Sequence, residues 1–160
     1  MSSDGILNLS EDELALASAK KTKQNKLAFA LFLKYFQLEG HYPKHLKYID
    51  SRLLHCVANQ LDVSASLVDN FDFEGRSTDR FRQEIRNLLG YREATLQDAD
   101  QFKSWMIKNV FQNGVKKSQQ IEYAYEYFRE QRIEHFASRE LERYMGVAMK
   151  YLLTLALTHN

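Results

Sequence analysis

The chain has 160 residues, 44% of them hydrophobic and 12% aromatic, with one cysteine, one proline and six glycines. This is enough apolar material for a core and too little turn-forming material for an all-β fold, and it excludes a disordered chain and an internal disulfide framework. The formal net charge of +1 hides an uneven spread, because two basic blocks, residues 20–48 and 76–92, flank an acidic one at residues 49–75.

The opening "MSSDGILNLSEDE" is acidic and polar, with no apolar signal core. Ser10 with Glu13 three residues later is a capping box, which predicts a helix from about Glu11 to Thr22. The basic, polar "KKTKQNK" follows. "NKLAFALFLKYFQLEG" is apolar on nearly every side (Leu27, Phe29, Leu31, Phe32, Leu33, Tyr35, Phe36, Leu38), the pattern of a central helix covered by others. Its apolar run "LAFALFL" is far short of a membrane span. With a single cysteine, this predicts a soluble, cytoplasmic protein. Gly40 and Pro43 stop the helix. Asp50 caps the next helix through Leu61, a short helix follows Ser64, and "DFEG" makes a break. Ser77 or Thr78 caps "DRFRQEIRNLL", which ends at Gly90. Thr95 and Asp98 start "LQDADQFKSWMIKNVFQ", ending near Asn113 and Gly114. Ser118 starts "QQIEYAYEYFREQ", and Ser138 caps a final helix of about twenty residues that ends near His159. The pattern predicts an all-α fold of seven to eight helices in tandem helix-turn-helix-like subdomains. These cover residues 1–72 and 77–160, with the seam at 72–77, where composition turns from acidic to arginine-rich.

"VANQLDVSASLVDNF", Val57 to Phe71, has the spacing of a helix-turn-helix corner. Ala58 is small where the helices would cross, and Asp62 takes the turn, where glycine is more usual. Val57, Leu61, Val63, Val68 and Phe71 would glue the pair. Ser64, Ala65, Ser66, Asp69 and Asn70 would be the exposed positions of the second helix. Asn70 suits adenine, and Ser64 and Ser66 suit base or phosphate. The segment contains no lysine or arginine, and Asp69 repels phosphate. An ordinary helical corner has the same pattern, so attraction to DNA must come from its neighbours.

Lys20, Lys21, Lys23 and Lys26 lie within seven residues with no acid between them. A solvated linker has the same composition. In the helix after Ser77, Phe81, Ile85, Leu88 and Leu89 form the buried stripe. Arg82 and Arg86 share one flank, Arg80 projects on the other near Gln83 and Asn87, and Arg76 and Arg92 mark the ends. Glu84 is one turn from Arg80, so internal ion pairs compete with a free surface. Cys56 reads as a small buried apolar residue. Pro43 separates His41 from His45, which argues against a metal site. The carboxylates are scattered, and neither a glycine-rich phosphate loop nor a nucleophile turn is present. No cofactor or metal and no catalytic residue is expected. The tyrosines of "IEYAYEYF" read as core and half-buried packing rather than as stacking platforms for bases.

The blocks "NKLAFALFLKYFQLEGHYP", "VANQLDV" and "GRSTDRFRQEIRNLLGYREAT", in this order and spacing, resemble the N-terminal region of the Tn-three-family replicative transposases. "LSEDELALASAKKTKQNKL" and "YFREQRIEHFASRELERYM" extend the likeness over roughly residues 8–145. Members of that family are several times longer than this chain. Their C-terminal RNase-H-like domain, with three metal-binding acids, catalyses transposition, and their N-terminal region recognises the terminal inverted repeats of the transposon. The resemblance implies a non-catalytic DNA-binding domain of a transposase, bacterial and nucleoid-associated. Its partners would be double-stranded DNA and the remainder of the transposase, with a homodimer as a further state. Family members often carry arginine where this chain has Lys20 to Lys26, and proline where it has Phe136. Lysine neutralises phosphate without arginine's bidentate geometry. The expected DNA contacts are Lys20, Lys21, Lys23, Lys26, Arg76, Arg80, Arg82, Arg86 and Arg92, with Ser64, Ser66 and Asn70 as lesser ones. The competing expectation is a protein-interaction or dimerisation module of the transposase, without DNA contact, that uses the acidic face of residues 49–75.

Overall fold

The computed structural model describes residues 4–158. Among them are eight α-helices: α1 (Asp4–Leu7), α2 (Glu11–Ser18), α3 (Lys23–Glu39), α4 (Ser51–Leu61), α5 (Arg76–Leu89), α6 (Leu96–Asn109), α7 (Lys117–Gln131) and α8 (Ser138–Thr158). The fold is all-α, as expected. A two-residue parallel pairing of β1 (Arg92–Glu93) with β2 (Ile133–Glu134), in register Arg92 to Ile133, was not foreseen. No helix among the described residues is long and apolar enough to cross a membrane.

The local signals for helix ends act largely as read. Ser10 Oγ accepts from the Glu13 amide at 3.3 Å and Glu13 Oε1 accepts from the Ser10 amide at 2.7 Å, which closes the capping box of α2. That helix stops at Ser18 rather than continuing to Thr22, because Thr22 is extended and its hydroxyl caps α3 instead. Thr95 and Asp98 close a second box on α6. Asp50 caps α4. Gly40, Gly90 and Gly114 take the left-handed conformation that terminates helices. Asp62 also adopts it (φ 57°), and the Val63 amide reaches back to the Ala58 carbonyl at 3.0 Å. The aspartate turn therefore holds, but the segment after it does not form a second helix. Ala65–Val68 is a four-residue 3₁₀ turn, too short to act as a recognition helix. α8 extends to Thr158; the expected end near His159 lies outside the described residues.

The chain divides into two compact units, residues 1–89 and 90–160. The division falls after α5, not at residues 72–77. The reason is aromatic packing around α3, which is buried on nearly all sides from Leu27 to Leu33. Phe71 and Phe73 both contact Phe32, and Phe81 of α5 contacts Phe29 and Phe32 at 5.5 and 5.8 Å between ring centroids. Residues 72–77 thus run through the first core, and α5 belongs to it. The second unit has its own core of Phe102, Met106, Val110, Ala124, Phe128, Ile133 and Leu141. Tyr127 is buried there against Phe102 and Trp105, and Phe136 packs on Phe128 and Tyr144. The tyrosine-rich stretch is therefore mostly packing, with Tyr123 exposed.

Candidate nucleic-acid interface

Most of the expected DNA contacts of the first unit lie on the connector before α3, on α3 and on α5, and an ion pair joins the connector to α5. Lys20, in the connector before α3, pairs with Glu84 of α5, and its ammonium sits 4.5 Å from the Phe29 ring centroid. Its side chain is only 17% exposed. Lys20 was expected to meet phosphate; it is instead held inside the fold, between a carboxylate and an aromatic face.

This pair also orients α5. Arg76, Arg80 and Glu84 are spaced by four and share one flank of the helix. Since Glu84 meets Lys20, that flank faces the connector and the start of α3. The opposite flank faces the far end of α3, where the Arg82 guanidinium lies 5.1 Å from the ring centroid of Tyr42. Arg82 is half-buried, and its Nε is enclosed without a hydrogen-bond partner. Arg86 also has an interaction partner within the chain. The pair Arg82 and Arg86 is thus set apart from the lysines by the way α5 crosses α3.

What remains on the connector side is Lys21 and Lys23, both exposed, half-buried Lys26, and exposed Arg76 and Arg80. None of these five has an ion pair among the described residues. Lys23 and Lys26 are three apart on the first turns of α3 and share a face. Gln24 donates to the Leu67 carbonyl at 2.8 Å, which brings the 3₁₀ turn against the same end of α3. On that turn the Ser64 and Ser66 hydroxyls bond to each other at 2.8 Å, and Ser64 Oγ caps the turn by accepting from the Ser66 amide. Asn70 is exposed beside exposed Asp69.

Arg92 lies in the second unit and is also engaged. Its guanidinium grips Asp98 bidentately, at 2.7 and 2.8 Å. Asp98 is 5% exposed and also accepts from the Thr95 amide at 2.7 Å and the Thr95 hydroxyl at 2.9 Å. The Arg92 guanidinium holds this carboxyl far below the ordinary range, against the cost of its burial, and Thr95 adds to the effect. Asp98→Ala is expected to destabilise the second unit by about 1–2 kcal/mol, since it removes a helix cap and orphans Arg92. Because the folded pKa is depressed, the carboxylate's contribution is full at neutral pH. It is lost as pH falls below about 4 toward the folded value. Urea titrations of both proteins at pH 7 and pH 3 check this: the gap should narrow at pH 3.

Sequence reasoning identified the basic blocks but not which charges are consumed internally. Glu84 within reach of Arg80 was the visible hint of competition, yet its actual partner is 64 residues away in sequence. Lys34, also in the first basic block, is buried against Glu13.

No curated protein matches the chain. A family model described as a domain of unknown function (DUF4158) matches residues 5–148, nearly the whole of both units. The chain belongs to the DUF4158 family.

Proposed function

We propose that this protein binds double-stranded DNA through its first unit, as the part of a transposase that recognises the terminal inverted repeats of a transposon, without chemistry of its own. The observation that carries the reading is the set of five cations, Lys21, Lys23, Lys26, Arg76 and Arg80, on the connector side of α3 and α5 with no carboxylate partner among the described residues. Phosphate neutralisation by lysine and arginine supplies most of a DNA-binding protein's affinity. The partly buried Lys20–Glu84 pair ties the connector to α5, and aromatic packing of Phe81 on Phe29 and Phe32 ties α5 to α3, which lowers the ordering cost of presenting the cations. The family's frequent occurrence in transposases and the likeness to the Tn-three-family N-terminal region supply the substrate. Lys21 and Lys23 would position the backbone, and Arg76 and Arg80 would add phosphate contacts or reach guanine. Ser64, Ser66 and Asn70, at the adjoining turn, would add weaker contacts.

Four to five phosphate contacts predict a log–log slope of affinity against salt of roughly −4. Footprinting on the terminal repeat and on a scrambled duplex, at two salt concentrations, tests both parts of the reading. Protection of the repeat alone is the expected result. Equal protection of both duplexes removes the specificity, and no salt-dependent protection of either removes the DNA role.

The second reading, a protein-interaction module of the transposase, is favoured by a feature of the second unit: an apolar groove beside α8.

A further inference from the structure

The groove beside α8 has a volume of about 800 Å³ and lies between α7, the turn before it and α8. Phe111, Ile121, Met145, Met149 and Leu153 give it an apolar lining. α8 is poorly covered by its own unit: only Leu141 and Ala148 are buried along its 21 residues. Val147, Leu153 and Leu157 are 49%, 55% and 79% exposed. Apolar side chains left this open on one helix mark an interaction surface.

The pattern of the groove face selects the occupant. Gly146 sits at its middle, and a Cβ built there meets no atom within 4 Å. Glycine costs a helix interior about 0.5–1 kcal/mol relative to alanine, and nothing in its own unit requires it here. Glu142 and Lys150, which also line the groove, stand four residues before and four residues after it. When two copies of a helix cross antiparallel, residues equally spaced on either side of the crossing point face each other. A crossing at Gly146 brings Glu142 of each copy level with Lys150 of the other, within reach of its long side chain. The absent side chain allows the backbones to approach closely. One acid and one base at equal distances from an empty crossing position make the surface complementary to itself, the requirement of a two-fold interface.

We propose that a second copy of this chain occupies the groove, with the two α8 helices crossing antiparallel at Gly146. The proposal does not depend on the DNA-binding reading.

Sedimentation equilibrium of the chain, from low-micromolar to sub-millimolar concentration, tests it. The wild-type protein is expected to dimerise. Glu142→Lys alone and Lys150→Glu alone each place like charges across the two-fold axis and should weaken the dimer at least about tenfold. The double variant Glu142→Lys with Lys150→Glu restores both pairs and should recover to within about threefold of wild type. Gly146→Leu, which meets open space in the monomer, should abolish the dimer while leaving far-UV circular dichroism unchanged. A wild-type chain that is monomeric throughout overturns the proposal, and so does a double swap that associates as weakly as the single variants.

Discussion

Lys34→Met, with Glu13 left in place, is expected to destabilise the first unit by about 3–5 kcal/mol. Both residues are 7% exposed, and their charged ends are 2.9 Å apart. Glu13 Oε2 accepts from Gln37 at 2.6 Å, and Oε1 accepts from the Ser10 amide. Burial pushes the Glu13 carboxyl up, but the Ser10 amide, Lys34 and Gln37 together outweigh it and hold the group below its ordinary value. Removing the ammonium leaves a desolvated carboxylate at the contact between α2 and α3. Urea denaturation followed by circular dichroism measures the loss, and hydrogen exchange at the α3 amides assigns it to this unit. Glu13→Gln combined with Lys34→Met should cost less than the sum of the two single changes, since neither charge is then stranded. The loss from Lys34→Met should also shrink as pH falls through the ordinary glutamate range, because burial makes the stranded carboxylate take up a proton more readily than the paired one. A single substitution within about 0.5 kcal/mol of wild type would show that the pair contributes little to the packing of α2 on α3.

Charge reversal of Lys23 and Arg80 together is expected to weaken DNA binding by about two orders of magnitude near 0.1 M salt and to reduce the salt slope from roughly −4 to roughly −2. Both side chains are exposed and unpaired among the described residues, so their replacement should leave the urea midpoint close to wild type. Lys20→Met makes the opposite prediction. It breaks the tie to Glu84 and a cation–π contact, at a cost of about 1 kcal/mol, and leaves the salt slope unchanged. Arg82 is also among the contacts expected from the sequence. In the folded chain Arg82 stacks on Tyr42, so its loss should register in stability more than in the slope. Fluorescence anisotropy with a labelled terminal-repeat duplex, over a range of salt, separates these variants. Unchanged affinity and slope in the Lys23 and Arg80 double reversal would remove the proposed interface.

Short-range signals are legible in the sequence, and long-range pairings are not. Ser10 with Glu13, Thr95 with Asp98, the Asp50 cap and the glycine terminators act within one helical turn. Their chemistry is complete in the local string, and each forms as read. The all-round apolar face of "LAFALFLKYF" likewise required burial of α3 wherever the other helices fell. Misreadings arose where one residue serves two purposes. Thr22 could extend α2 or cap α3, and the cap prevailed. Asp62 could turn the chain into a second helix, and a 3₁₀ turn followed. The seam was placed by a change of composition, whereas the units are separated by where Phe71, Phe73 and Phe81 pack.

The sequence alone determined the helical class, most helix ends, the central helix and the existence of two basic blocks, because propensity, capping and periodicity are local properties of the chain. Which charges remain available depends on the fold: Lys20 is taken by Glu84, Lys34 by Glu13, Arg82 by Tyr42 and Arg92 by Asp98. An ion pair depends on distance in space, and most of these partners are distant along the chain. Of the expected lysine and arginine contacts, folding leaves Lys21, Lys23, Lys26, Arg76 and Arg80 without an ion-pair or aromatic partner among the described residues.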